Sequence, residues 1–248
     1  MSHSYKTIYN WPEERQRKFF NWCFWDNAFN NEELEGIVKF CDALELERAT
    51  TVGAKEAKES AELEKSGKKV ESKVKSYTSD KDGKPKIVPT QEPNEDVRKS
   101  DVKFITFENG MGDADWIFYR LNKVIEDLNN QFYNFDLNGY ESFQYTVYHD
   151  HEKGRYDFHM DTIMGRNLPH DMYECRKLSM TFLLNEPGVD FEGGDFQINS
   201  GQEKDAETVP LNKGRIIMFP SFMIHRVKPV TKGVRKSIVI WVLGPKFR

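Results

Sequence analysis

His159 and Asp161 lie two residues apart in the segment GRYDFHMD. On a strand, residues two apart point to the same face, so the imidazole and the carboxylate would stand side by side with Met160 turned away. Both groups ligate divalent metals, and a third donor is needed. His225 is a candidate because it follows the apolar run RIIMFP, a strand that could lie across a small barrel from residue 159. Two histidines and one carboxylate on one side of a metal leave open positions opposite, a ligand set that suits non-haem iron(II). The His-x-Asp pair recurs by chance and does not establish a metal by itself.

A second group adds weight. In the final apolar run, RKSIVIWV, residues 235, 237, 239 and 241 share a face. If Val239 and Trp241 face a barrel interior, Arg235 and Ser237 do too. An inward arginine is costly without a partner, and its planar fork suits a carboxylate. No acidic residue of the preceding strands is an obvious internal partner, so a bound dicarboxylate would serve. The other reading is an arginine at the barrel mouth, reaching water. His149 and His151 form a second possible chelate, but HDHEKGRYD reads as a polar turn and no matching pair follows at zinc-finger spacing. His170 reads as a loop residue. Asp157 shares parity with His159 and Asp161, whereas Asp150 does not. Arg226, next to His225, should point the other way, toward an acidic substrate or water.

These groups need a scaffold, and the chain supplies one in two parts. Asn30 and Glu33 form a capping box ahead of Leu34, Ile37, Val38, Cys41 and Leu44, which recur at helical spacing. Trp22, Phe24 and Trp25 precede it as a short strand or aromatic anchor. Asp113 can cap a second helix with Ile117, Leu121, Val124, Ile125, Leu128 and Phe132 on one stripe. From there the pattern turns to strands: ESFQYTVY, LSMTFLL, DFQIN, RIIMFP and SIVIWVL, separated by glycine turns at 193–194, 214 and 233. The expected fold is α+β and β-rich, a double-stranded β-helix (jelly roll) with the helices packed outside. One domain spans 1–248: an N-terminal strand and helix over 1–52, a charged, flexible insertion over 53–96, helical support over 97–140, and the catalytic jelly roll over 141–248. The insertion has almost no large apolar residues and cannot offset its ordering entropy.

Composition narrows the class. The 248 residues are 38% hydrophobic and 31% charged, with a net charge of −4 that argues against a general nucleic-acid binder. No apolar run approaches the length of a membrane span, and the first residues lack an apolar signal core. Three scattered cysteines fit a reducing compartment. The expectation is a soluble, cytoplasmic protein.

Residues 141–248 resemble the catalytic core of the 2-oxoglutarate/Fe(II)-dependent dioxygenases, in the prolyl 4-hydroxylase-like, PKHD-type branch. The stretches that carry the likeness are QYTVYHDHEKGRYDFHMD, RKLSMTFLLNEPGVDFEGGDFQI and GRIIMFPSFMIHRVKPVTKGVRKSIVIWV. Arg235 follows His225 by ten residues and Trp241 follows Arg235 by six, as in that family's pattern. VRKSDVKFI, the 113–132 helix and FWDNAFNNEELEGIVKFC resemble its N-terminal part, so the likeness covers nearly everything outside about 50–96. It implies His159, Asp161 and His225 as Fe(II) ligands, and Arg235 as the group that holds the distal carboxylate of 2-oxoglutarate. Tyr148 would line the cosubstrate pocket and Tyr156 the substrate side. Leu183 stands where animal oxygen-sensing prolyl hydroxylases carry a tyrosine that helps hold the cosubstrate, so Thr181, Tyr145 or Ser237 would have to supply that hydroxyl.

The implied reaction hydroxylates a C–H bond, most plausibly of a prolyl residue in a peptide or protein. It consumes O2, converts 2-oxoglutarate to succinate and CO2, and uses ascorbate as reductant. Rival readings are the same chemistry on a free amino acid, another small metabolite or a nucleobase, a non-enzymatic iron-binding sensor or interaction barrel, and, remotely, a zinc hydrolase. No nucleic-acid or membrane partner is expected.

Overall fold

The structure, a computed structural model, describes residues 20–52, 77–79, 85–87, 91–92, 95–105, 115–162, 174–199, 201 and 203–245. Strand β1 (Cys23–Trp25) leads into helix α1 (Asn31–Asp42). The helix starts on the expected capping box, with Asn30 Oδ1 accepting from the Glu33 amide at 2.9 Å and Glu33 Oε2 accepting from the Asn30 amide at 2.8 Å. Strands β2 (Glu47–Arg48) and β3 (Thr51–Val52) follow. Most of the predicted insertion lies outside the described residues. The parts described are strand β4 (Tyr77–Ser79) paired with β5 (Pro85–Ile87), and β6 (Gln91–Glu92) paired with β3. The Asp113 cap also lies outside the described residues.

Strands β7 (Arg98–Lys99) and β8 (Asp101–Ile105) precede helix α2 (Asp115–Leu128), which runs into a π-helical turn, Asn129–Tyr133. The rest is sheet: β9 (Gly139–Tyr140), β10 (Phe143–His149), β11 (Arg155–His159), β12 (Glu174–Leu183), β13 (Phe191–Gly193), β14 (Phe196–Asn199), β15 (Glu207–Thr208), β16 (Ile216–Pro220), β17 (Ile224–Val227) and β18 (Val230–Pro245).

Two antiparallel sheets form the jelly roll. The larger runs β1-β16-β12-β18-β10-β8-β2, with β9 and β13 also paired to β18; the smaller runs β15-β14-β17-β11-β7. Alternation along the larger sheet divides the core in two. Phe143, Tyr145, Met180, Phe182, Met218, Ile238 and Ile240 pack with Leu34, Ile37, Leu121, Val124 and Leu128 of the helices. The opposite parity, including Tyr148, Leu183, Ile217 and Phe219, faces the smaller sheet and joins Phe196, Ile198 and Val227. The helices thus cover the outside, and the space between the sheets holds the chemistry.

This parity corrects one expectation. Tyr145 belongs to the helix-facing layer, where its hydroxyl donates to Asp42 Oδ1 at 2.6 Å, so it cannot reach a ligand between the sheets. Tyr148, three residues on, faces inward.

Candidate metal centre and the cavity around it

His159 ends β11, His225 lies on β17, and the two are paired across the smaller sheet. Asp161 follows in the bend after β11, where its amide and that of Thr162 both donate to the Ser221 carbonyl, at 3.0 and 3.1 Å. One donor atom from each of His159, Asp161 and His225 lies within 4.8 Å of the others.

The tautomers follow from the outer partners. His159 Nδ1 is 2.8 Å from the Asp157 carbonyl and His225 Nδ1 is 3.0 Å from the Met223 carbonyl. A carbonyl can only accept, so both Nδ1 atoms carry the proton and a neutral ring presents a lone pair at Nε2. Those Nε2 atoms face the two oxygens of Asp161, each at 3.5 Å. Lone pairs turned toward a carboxylate repel unless a cation stands between them. The donor set therefore fits a divalent metal.

Electrostatics keep the donors in the ligating form. Burial opposes ionisation of Asp161, yet in the acid range where that carboxyl titrates, protonated His225 and His159, with the Ser179 hydroxyl, outweigh it and hold the carboxyl well below the usual range. Burial, then the neighbouring His159, push His225 down to about 4 against the pull of Asp161. Ser179 is itself fixed by a 2.9 Å hydrogen bond to Ser221. Phe196 and Phe219 wall in the His225 ring.

Strict alternation would send Tyr156 and His159 to opposite faces. The register of β11 against β17 shifts between them, and a bulge of this kind turns both inward. Their rings stack with centroids 3.5 Å apart. Asp157 shares parity with His159 in the sequence, but its side chain is exposed and only its carbonyl serves the site.

The opposite wall is β18. Arg235, only 1% exposed, pairs in register with Tyr148 and lies near that ring. Its Nη1 donates to Ser237 Oγ at 3.1 Å, while Nε and Nη2 are buried with no partner. Such atoms cost free energy unless a ligand meets them, and two adjacent guanidinium N–H groups fit one carboxylate. Ser237 lies between Thr146 and Leu183 on the neighbouring strands, and Thr181 faces the same space one rung further along. Gly194 closes the floor with a left-handed backbone (φ +64), and a Cβ there would stand 2.9 Å from Arg235 Cδ.

Arg226 is not brought to the site. It alternates with His225 on β17 and lies on the outer face, over the Phe158 ring and donating to Gln197 Oε1 at 2.7 Å. His149 and His151 lie ring beside ring at a tilt, with His149 3.7 Å from Asp101, and neither belongs to the metal-ligand cluster.

Several interior groups were not singled out from the sequence: Arg98, Gln144, Thr146, Ser179 and Arg176. Gln144, Thr146 and Ser179 are polar residues at the inward parity of apolar strands, which is the signal that would have found them. Arg176 turns inward only through the register shift between Arg176 and Leu178, and Arg98 lies on the short charged strand β7, so neither carried that signal. Arg176 stacks 3.9 Å over Trp241, pairs with both Glu141 oxygens at 2.6 and 2.7 Å, and donates to the Asp161 carbonyl at 3.3 Å.

Residues 143–243 match the family model described as the 2OG-Fe(II) oxygenase superfamily. A PKHD-type hydroxylase of Teredinibacter turnerae is 33% identical over 89 residues, which is 36% of this chain and 38% of that protein. One from Gloeothece citriformis is 36% identical over 88 residues, 35% of this chain and 36% of that protein. The chain thus spans well under half the length of these curated relatives. Among solved structures, a Pseudomonas putida prolyl-4-hydroxylase superposes with a TM-score of 0.55 at 14% identity, covering 91% of this chain and 94% of that one. A viral collagen prolyl hydroxylase from Paramecium bursaria Chlorella virus-1 gives 0.56 at 12% identity, covering 91% and 97%. At such identities the superpositions show a shared fold.

Proposed function

We propose, from the match of residues 143–243 to the 2OG-Fe(II) oxygenase superfamily model, that the protein is an Fe(II)- and 2-oxoglutarate-dependent dioxygenase that hydroxylates a substrate C–H bond. The observation that carries this reading is Arg235, a fully buried cation with two unpaired nitrogens on the wall opposite His159, Asp161 and His225. A metal site alone would need no such group.

His159 Nε2, His225 Nε2 and one Asp161 oxygen would hold the iron. Arg235, with Ser237 beside it, would hold the distal carboxylate of 2-oxoglutarate, and Thr146, Thr181 and Tyr148 would line the same pocket. Ser237 is the hydroxyl beside Leu183 on the neighbouring strand, with Thr146 on its far side, so Ser237 can supply what that leucine lacks. Iron held by these residues would supply the activation of O2 that oxidises 2-oxoglutarate to succinate and CO2, with the second oxygen atom going to the substrate carbon. The chain's own part is orientation and exclusion of water: Phe196, Phe219, Leu183 and Ile217 keep the space between the sheets apolar. Tyr156 covers the rim beside His159.

The proposed substrate is a prolyl residue, consistent with the prolyl hydroxylases whose fold the chain shares. Ascorbate is the proposed reductant, and the proposed setting is the cytoplasm; no described helix is long and apolar enough to cross a membrane. The chain reads as one oxygenase domain with 53–96 inserted. The test supplies Fe(II), ascorbate, 2-oxoglutarate and proline-containing peptides, and follows succinate together with a one-oxygen mass gain. Succinate without any oxidised product across prolyl peptides and free proline would remove the prolyl assignment. No succinate from iron-loaded, folded protein would remove the dioxygenase reading.

Gly194 gives a more local check. Gly194→Ala places a side chain on a left-handed backbone, at a cost of about 1–2 kcal/mol, and presses on Arg235. The expected result is a higher 2-oxoglutarate requirement with unchanged metal affinity, read by calorimetry with Mn(II) as a stand-in for iron. Equal losses of both would show that the substitution acts on the whole barrel and not through Arg235.

A further inference from the structure

Three arginines are buried among the described residues: Arg98, Arg215 and Arg235. Arg215 has a carboxylate, with Asp26 bound to Nε and Nη2 at 2.7 Å each. Arg235 is assigned above to the cosubstrate. Arg98 has neither. Its Nε donates to Ser100 Oγ at 2.9 Å and its Nη2 to Gln144 Oε1 at 2.8 Å, both neutral acceptors. No carboxylate lies within ion-pair distance of it among the described residues.

Its place in the fold is beside the metal ligands. The chain crosses from the smaller sheet to the larger between β7 and β8, so Arg98 stands at the corner where the sheets meet. It pairs in register with Tyr156, and its guanidinium lies 4.6 Å from that ring's centroid. The Tyr156 ring in turn stacks on His159. The electron-rich ring face holds the cation in a fixed direction, one ring away from the metal ligand. The buried charge is expensive and its protein partners do not neutralise it.

Charge balance gives the ligand's sign. With iron and dianionic 2-oxoglutarate in place, the two positive charges of the metal and the one of Arg235 match the charges of Asp161 and the cosubstrate. Arg176 is matched by Glu141. Among the buried arginines described, Arg98 is the one with neither a carboxylate nor a cosubstrate to match it. We propose that Arg98 is the recognition group for a carboxylate on the substrate, close to the carbon that is hydroxylated. A free amino acid or the terminal residue of a peptide would carry such a group, and an internal residue of a neutral stretch would not. This rests on the dioxygenase reading and narrows its substrate class.

The experiment compares acid with amide. The amino acids, proline included, are offered as free carboxylates and as carboxamides, and short proline-terminated peptides are offered with free and amidated ends. Substrate-stimulated 2-oxoglutarate consumption is followed, and binding is read from perturbation of the visible Fe(II)–2-oxoglutarate charge-transfer band. A charge-assisted hydrogen bond predicts that the acid binds about 10- to 100-fold more tightly than its amide. Arg98→Gln should erase that preference, and Arg98→Lys should keep part of it; the band itself, formed before substrate is added, reports that each variant is folded and loaded. The free-acid and peptide arms separate the two sources of carboxylate. Equal binding of acid and amide, a preference that survives Arg98→Gln, or silence from every acid would each overturn the proposal. If the parent protein shows no band, the dioxygenase reading fails first, and the substrate proposal falls with it.

Discussion

Replacing His159 with alanine should abolish the charge-transfer band expected when the anaerobic protein is given Fe(II) and then 2-oxoglutarate. Removing an outer partner of a metal ligand typically costs about 10- to 100-fold in affinity, so removing the ligand itself should exceed about a hundredfold. His159 is the best of the three to test because it stands at the rim and is half-buried, so truncation opens onto solvent and leaves the core intact. The thermal transition of metal-free His159→Ala should therefore stay close to that of the parent. His151→Ala is the matched control: that ring lies beside His149 and outside the ligand cluster, and its loss should leave the band unchanged. A band that persists in His159→Ala, or vanishes in His151→Ala, would move the metal elsewhere.

Arg235→Met has two effects of opposite sign. Toward 2-oxoglutarate, truncating one member of a buried charge pair costs about 2–5 kcal/mol, a rise in the required concentration of roughly 30-fold to several thousandfold. Toward folding, the parent buries a cation whose Nε and Nη2 have no partner and whose charge burial disfavours. An apolar side chain of similar length removes that penalty, so the ligand-free variant should be more stable, by about 1–3 kcal/mol. Mn(II) affinity, measured without cosubstrate, should not change. A melting curve and a 2-oxoglutarate titration suffice. Loss of stability together with loss of cosubstrate binding would mean that Arg235 supports the barrel and is not a ligand group.

How far the sequence reached can be judged residue by residue. Alternation in RKSIVIWV placed Arg235, Ser237 and Trp241 on the inward face because β18 is regular over that span. The same rule fails at β11, where a register shift puts Tyr156 and His159 on one side; a bulge leaves no mark in the pattern of apolar residues. Tyr145 was a hydroxyl near the right strand but of the wrong parity, and its partner Asp42 comes from the end of α1, a contact that no local pattern reveals. Arg98 went unnoticed because VRKSDVK looks like a charged edge strand. Its burial depends on the chain turning the corner between two sheets, and on Gln144 and Ser100 meeting it there. Helix α1 was legible from its cap and both helices from their apolar stripes, whereas most interior polar groups required the tertiary fold.

Strand β18 lies at the centre of the larger sheet, between β10 and β12, yet it follows in the chain every strand to which it pairs. At roughly 5–20 residues per second of synthesis, β10 and β12 wait several seconds with open edges while the remaining strands emerge. Open edges are the surfaces on which chains aggregate, and pairings this distant in sequence form slowly. Interrupted synthesis should therefore give chains that chaperones hold or that precipitate, not smaller working proteins. The same strand delivers Arg235. Closing the barrel and completing the proposed dicarboxylate site are then one late event, so a chain able to bind 2-oxoglutarate through Arg235 would already have finished folding.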